Sequence, residues 1–389
     1  MAINFDTIID RTGTSNVKYD VRKAVFGTDD VVPLWVADMD LAAPEAVTQA
    51  LLQRASHPIY GYTIYPDSLF TAMQDWFLHR HNWSIKRQSI LICPGVVPSM
   101  HAVIEALSAS GDSIIVQPPI YPPFFSSVSE TGRKIVENPL KCVDGEYEID
   151  LEHLEQCAID GAKMLLFCSP HNPVGRVWQQ QELEALLDIA RRYDLIVLSD
   201  EIHADLIYPD YQHIPLATLA DDVSIITLVS PSKTFNIPGL GLSSLVVDNR
   251  QHLQAIKQVF DRLHITASNP FSITAFEAAY RGGEAWLDEL MFYLDVTREQ
   301  VTNLFTTQMP TIKVIASQGT YLLWLDCRQM GLSDDALRRF FIDQAKVGLN
   351  PGISFGDVGS GFMRMNIAAP RQVVVEACQA IIKAVNNGD

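Results

Sequence analysis

Cysteine is sparse and unpaired in this chain: six stand among 389 residues, at 93, 142, 157, 168, 327 and 378, with no C-x-x-C spacing. That spacing offers neither a zinc site nor a disulfide framework, so reduced and mostly buried thiols are expected. Long apolar runs are missing as well. Nowhere do about 18 apolar residues follow one another, the length a membrane helix needs, and the opening Met-Ala-Ile-Asn-Phe-Asp has no basic stretch leading into an apolar core. A soluble, cytoplasmic protein is the expectation. Positive charge is short, with 29 Lys and Arg against 46 Asp and Glu for a net −17, which disfavours nucleic acid and anionic membrane as partners. Small molecules become the expected ligands.

Several catalytic signatures are also absent. There is no H-E-x-x-H, which removes the common zinc-protease arrangement. Gly239-Leu-Gly-Leu-Ser-Ser244 lacks the third glycine of a dinucleotide fingerprint and follows a loop instead of a strand. His79-Arg80-His81 closes a polar helix end and is expected to face solvent, so no metal site is proposed. Neither an internal repeat nor a low-complexity linker occurs.

What is present is an ordinary globular composition, 48% hydrophobic and 19% charged, long enough for one large domain and a smaller one. Apolar spacing predicts helices over 44–55, 68–79, 96–107, 251–263 and 285–305, and a further helix starting at the Ala267-Ser268-Asn269-Pro270 turn. Short apolar runs predict strands at 33–36, 90–92, 113–117, 164–168, 195–199, 224–229 and 242–247, the last antiparallel. Their alternation with helices argues an α/β fold with a mostly parallel sheet covered on both faces. After the long helix, strands at 313–315, 321–325 and 362–366 and helices over 334–345 and from 371 read as a smaller α+β unit. The expected division is an N-terminal segment over 1–45 packing with the small domain, a large domain over 46–284 and the small domain over 285–389.

Three polar residues fall where strands of this sheet end: Asn172, Asp200 and Lys233. Ligands of open α/β sheets collect at those ends. A lysine near a turn is ordinarily a surface residue, but here it follows a buried strand and is hemmed by Pro231, Pro238 and Gly239. Pro94-Gly95-Val96-Val97 opens a helix after a strand, so its backbone N–H groups can cradle a phosphate. Tyr121, in the Pro118-Pro-Ile-Tyr-Pro-Pro123 loop, is placed to stack on a ring. A lysine for a Schiff base, a carboxylate for a ring nitrogen, an amide, a phosphate cradle and an aromatic suit pyridoxal 5′-phosphate. Lys233, Asp200 and Tyr121 are the candidate catalytic residues.

The motifs Ser169-Pro-His-Asn-Pro-Val-Gly175, Ser199-Asp-Glu-Ile-His203 and Ser230-Pro-Ser-Lys-Thr-Phe-Asn-Ile-Pro-Gly239, in that order, resemble the fold-type I pyridoxal-phosphate enzymes of the aspartate aminotransferase superfamily. Trp35-Val-Ala-Asp-Met-Asp40, Tyr121-Pro-Pro-Phe124 and Gly361-Phe-Met-Arg-Met-Asn-Ile-Ala368 are similar to the MalY/PatB-like cystathionine β-lyase (C–S lyase) group within it. The resemblance spans nearly the whole chain. It implies a seven-stranded sheet in the large domain and a homodimer with its sites at the interface. It also implies that Arg364 binds the substrate α-carboxylate, a task suited to a planar two-pronged donor, with Trp35, Asp38 and Met39 on the substrate side. Gly95, Val96, Val97, Ser230 and Ser232 would hold the phosphate, reached by Tyr62 of the neighbouring subunit, and Asn172 and His203 the ring oxygen.

Two departures favour a lyase over a transaminase: His203 stands where aminotransferases carry a tyrosine, and Gly241 where they often carry a phosphate-binding arginine. The expected activity is β-elimination of L-cysteine thioethers to thiol, pyruvate and ammonia. An aminotransferase of a small amino acid is the first alternative, and a regulatory binding protein that keeps the fold is the second.

Overall fold

Seven strands form the central sheet, in the spatial order Ile90–Cys93, Ser243–Val247, Ile225–Val229, Ile196–Asp200, Met164–Cys168, Ser113–Val116 and Lys134–Glu137. These come from a computed structural model that describes residues 3–266 and 269–386; Ala267 and Ser268 of the expected helix start lie outside them. Ser243–Val247 runs antiparallel to both of its neighbours, and the remaining pairs are parallel.

Alternation along each strand divides the packing between two faces. Leu165, Phe167 and Val197 point to one side, where they meet Leu183, Leu186 and Leu187 of the helix Gln180–Tyr193. Met164, Leu166 and Leu198 point to the other, against Met100, Val103 and Ile104 of Val96–Leu107 and Ile256 and Phe260 of Arg250–Arg262. A sheet covered on both faces needs strands that are apolar at every position. Every residue of Met164–Cys168 is buried.

The chain leaves this sheet through Pro270–Gly282 and the 25-residue helix Glu284–Gln308. A four-stranded antiparallel sheet follows, ordered Lys313–Val314, Leu322–Asp326, Phe362–Asn366 and Asn350–Pro351. The short strand Val32–Pro33 pairs in parallel with Val347–Gly348, which ties the N-terminal segment to the last third of the chain. Among the described residues no helix is long and apolar enough to cross a membrane.

Some expectations need correction. The helix expected over 334–345 is α-helical only over Asp334–Arg339 and continues as a π-helical turn, Phe340–Gln344. The strand expected at 33–36 stops at Pro33: the Leu34 carbonyl turns to the Asn366 N–H, and from Trp35 on the carbonyls are taken by side chains instead of a neighbouring strand. The cysteines agree with expectation, all free and five of the six buried, with Cys142 exposed.

Candidate active site

Lys233 sits on a one-turn helix, Pro231–Thr234, at the end of the strand Ile225–Val229. The Ser230 hydroxyl caps that turn by accepting from the Ser232 N–H at 3.2 Å and lies 2.9 Å from the Leu242 carbonyl. Pro231 at the first helical position fixes the backbone angle there. Thr234 donates to Asp205 at 2.9 Å, so the lysine is held from both sides. Its Nζ donates to the Ala37 carbonyl at 2.6 Å. Burial pushes the Lys233 pKa down to about 8, with Arg364 adding to the effect.

Asp200 is the last residue of its strand, and its carboxylate accepts from the Ile202 N–H at 3.2 Å. Burial raises its pKa to about 7. Lys233, Asp200, Asn172, Tyr121, His203, Ser232 and the Gly95–Val97 turn line one cavity of about 330 Å³. The first-turn N–H groups of Val96–Leu107 have no carbonyl partner within their helix, and the helix end carries partial positive charge. Gly95 precedes it at φ +158°, a backbone that side-chain-bearing residues rarely adopt. Burial and the nearby cations push His203 down to about 3, so its ring is neutral; its Nδ1 is buried without a partner.

Arg364 comes from the middle of Phe362–Asn366 and is 4% exposed. Its guanidinium donates to Asn172 Oδ1 (3.1 Å), Asn350 Oδ1 (2.7 Å) and the Trp35 carbonyl (2.9 Å), while Nε has no partner. All three acceptors are neutral. Burial lowers its pKa to about 10, which leaves it charged at neutral pH. A buried cation held only by neutral oxygens is a seat for an anion.

Residues 29–381 match the family described as aminotransferase class I and II. The chain belongs to that family. It is 38% identical over 387 residues to cystathionine β-lyase PatB of Bacillus subtilis, covering 99% of this chain and 100% of PatB. Identity to Protein MalY of Escherichia coli is 33% over 390 residues, 98% of each chain. Among solved structures, cystalysin of Treponema denticola, which contains a pyridoxal 5′-phosphate cofactor, superposes with a TM-score of 0.96 at 35% identity over the whole of both chains. The fold is therefore the fold-type I transferase fold.

Within this aminotransferase class I and II site, several expected residues are turned elsewhere. The Trp35 indole donates to the Lys18 carbonyl and packs edge-on against Phe26. Met39 is a core residue, 2% exposed, and the Asp38 carboxylate is paired with Arg11. Of this segment Ala37 lines the cavity, and Trp35, Asp38 and Met39 do not. Ser230 supports the lysine turn from behind, while Tyr62 is fully exposed and away from this chain's own cavity. Gly241 lines the cavity at φ +51°, in the left-handed region.

Sequence reasoning missed Ala37 and Tyr321, whose hydroxyl donates to the same carbonyl at 2.9 Å. A backbone acceptor leaves no signal in a side-chain motif. His81 was also misjudged: its side chain is 6% exposed and lies 2.7 Å from Asp205. Behind the lysine turn, His81, Asp205, Tyr208 and Phe292 border a more open cavity of about 470 Å³. It has no counterpart of Lys233 or of the Gly95 turn.

Proposed function

We propose that this protein is a pyridoxal 5′-phosphate-dependent C–S lyase that cleaves L-cysteine thioethers such as cystathionine to a thiol, pyruvate and ammonia. The observation that carries it is the set around the 330 Å³ cavity: a pinned lysine, a buried carboxylate and a helix N-terminus, with a buried arginine of no anionic partner beside Asn172. Whole-length similarity to PatB and to cystalysin supports the same reading.

The residues fit the cofactor. Gly95, Val96, Val97 and Ser232 would hold its phosphate, with Ser230 bracing Ser232; Tyr62 of a second subunit would complete that cradle in a homodimer. Asp200 would face the ring nitrogen, Tyr121 the ring, and Asn172 with the unpartnered His203 the ring oxygen. Lys233 would attach it. A cationic ring nitrogen beside Asp200 favours the ionised carboxylate, reversing the upward push of burial. The division into residues 1–45, 46–284 and 285–389 is retained in this proposal.

When bound, the cofactor supplies an electron sink for the pair left at the substrate Cα. Arg364 takes the substrate carboxylate and orients the Cα–H bond. The free Lys233 amine, whose pKa of about 8 lies near neutrality, accepts that proton. Positioned bases of this kind contribute about 10²–10⁴-fold. The Cβ–S bond then breaks with its electron pair on sulfur, a proton returns to give the thiol, and the released enamine takes up water to give pyruvate and ammonia.

Cofactor-loaded protein mixed with L-cystathionine alone is expected to release pyruvate and free thiol in equal amounts. Turnover only after addition of a 2-oxo acid would replace this reading with a transaminase. Release of neither under both conditions would leave a protein that keeps the fold for binding.

A further inference from the structure

Five consecutive carbonyls, at residues 35–39, are each held by side chains. Arg364 holds Trp35, Asn366 holds Val36, Lys233 and Tyr321 hold Ala37, Asn366 and Lys18 hold Asp38, and Arg11 and Asn236 hold Met39. Backbone bonds anchor the two ends of this segment, Leu34 to Gly348 and Asn366, and Asp40 to Ala368, and between them side chains hold the carbonyls. Against it lies a compact group of four charges, one of them Asp38 of the segment itself. The Arg11 guanidinium spans Asp38 (2.7 Å) and Asp40 (2.5 Å), and Lys18 lies 2.8 Å from Asp40 and 3.7 Å from Asp38. The Lys18 and Asp40 side chains are 0% and 4% exposed, those of Arg11 and Asp38 16%.

Buried ion groups seldom add stability over apolar packing, and their better-attested use is to specify one arrangement among several. Here the arrangement specified is the backbone that meets the reactive lysine. We infer that Arg11, Lys18, Asp38 and Asp40 form an electrostatic latch that positions residues 35–39, and with them the Ala37 carbonyl, against Lys233. These are positioning residues. None of their side chains lines the cavity, and the inference rests on Lys233 being the cofactor lysine.

The latch also acts by charge. Asp38 favours the protonated form of Lys233, as Asp200 does, while Arg364 opposes it and His203 is neutral. Removing the Arg11 charge leaves Asp38 less compensated, and removing the Asp38 charge does the opposite. The two changes therefore move the lysine in opposite directions, an effect that loosened packing alone does not produce.

The test uses the holoenzyme variants Arg11→Ala and Asp38→Asn, with Arg11→Lys as the conservative partner. The pH midpoint of the lysine-linked cofactor absorbance is expected to rise in Arg11→Ala, fall in Asp38→Asn and stay near wild type in Arg11→Lys. Both loss variants should show kcat reduced about tenfold with KM little changed, the signature of a misplaced reacting group. In cofactor-free protein, amide exchange over 36–41 should accelerate in Arg11→Ala. Unchanged midpoints and unchanged exchange would overturn the latch, as would shifts of the same sign in both loss variants. Should Arg11→Ala fail to fold, Asp38→Asn decides alone, a midpoint that does not fall overturning the latch. A wild-type protein lacking the lysine-linked absorbance would instead overturn the assignment of Lys233.

Discussion

Arg364 and Asp200 share a property that surface residues lack: each is buried with its charge incompletely answered by the chain. In the proposed function the missing partner of Arg364 is the substrate carboxylate, so truncation is expected to act on substrate binding. Removing one member of a buried, hydrogen-bonded charge pair costs about 2–5 kcal/mol. Arg364→Ala should therefore raise KM for the amino acid by roughly 30-fold to several thousand-fold at 1.4 kcal/mol per decade, measured by pyruvate release. Arg364→Lys should recover only part, because an ammonium lacks the planar fork. For Asp200 the consequence appears in stability. Its folded pKa of about 7 lies above the ordinary carboxyl value of about 3.9, so the folded state binds the extra proton between these pH values. The stability this group contributes is present below about pH 4 and is lost as pH rises toward about 7. With roughly three units at 1.4 kcal/mol each, the ceiling is about 4 kcal/mol. Urea unfolding of cofactor-free protein should show this decline in wild type relative to Asp200→Asn, in which it disappears. Lys233, lowered to about 8, acts at the other end, where stability should rise between about pH 8 and the free lysine value of about 10.4.

At the scale of elements, what was legible in the sequence follows from burial on two faces. Met164–Cys168 and Ile225–Val229 are apolar because helices cover both sides, and Phe362–Asn366 is read to the residue. Asn172, Asp200 and Lys233 could be aligned because Asp200 ends such a strand and the other two lie just beyond the ends of theirs. The hairpin Lys141–Val143 with Glu146–Glu148 was missed although Asp144-Gly145, both at positive φ, is the usual two-residue hairpin signal; its strands are short and polar, so no apolar run announced it. The path of 35–40 was illegible for another reason. Arg11 and Lys18 lie nearby in the chain, but Lys233, Asn236, Tyr321, Arg364 and Asn366 lie 196 or more residues away, and no local pattern encodes them. The same long-range packing makes Gly283 critical. It joins Pro270–Gly282 to Glu284–Gln308, and a Cβ there would stand 2.8 Å from Phe235 Cδ1 and 2.5 Å from the Ala279 carbonyl. Phe235 lies two residues beyond Lys233. Gly283→Ala is expected to destabilise by about 1–3 kcal/mol, as overpacking does, and to weaken cofactor retention, read by urea unfolding and by dialysis of the loaded protein.

At the scale of the whole molecule, exposed apolar side chains cluster in the chain between Leu52 and Ile64. Leu52, Ile59, Tyr60, Tyr62 and Ile64 are all more than half exposed, and Tyr62 completely. Adjacent apolar side chains in open water are typical of an interface, and Tyr62 belongs to the proposed cofactor cradle without reaching the cavity of its own chain. A homodimer accounts for both facts if each Tyr62 serves the opposite site. The idea can be tested with two inactive parents, Lys233→Ala and Tyr62→Ala, each assembled alone and then co-expressed. In a mixed dimer one site carries both lesions, and the other has the intact lysine of one chain and the intact tyrosine of its partner. Random pairing of twofold-symmetric dimers makes half of them mixed, so activity should recover to about a quarter of wild type. If Tyr62 served its own chain, every site in the mixture would carry a lesion, and activity would remain at the average of the parents.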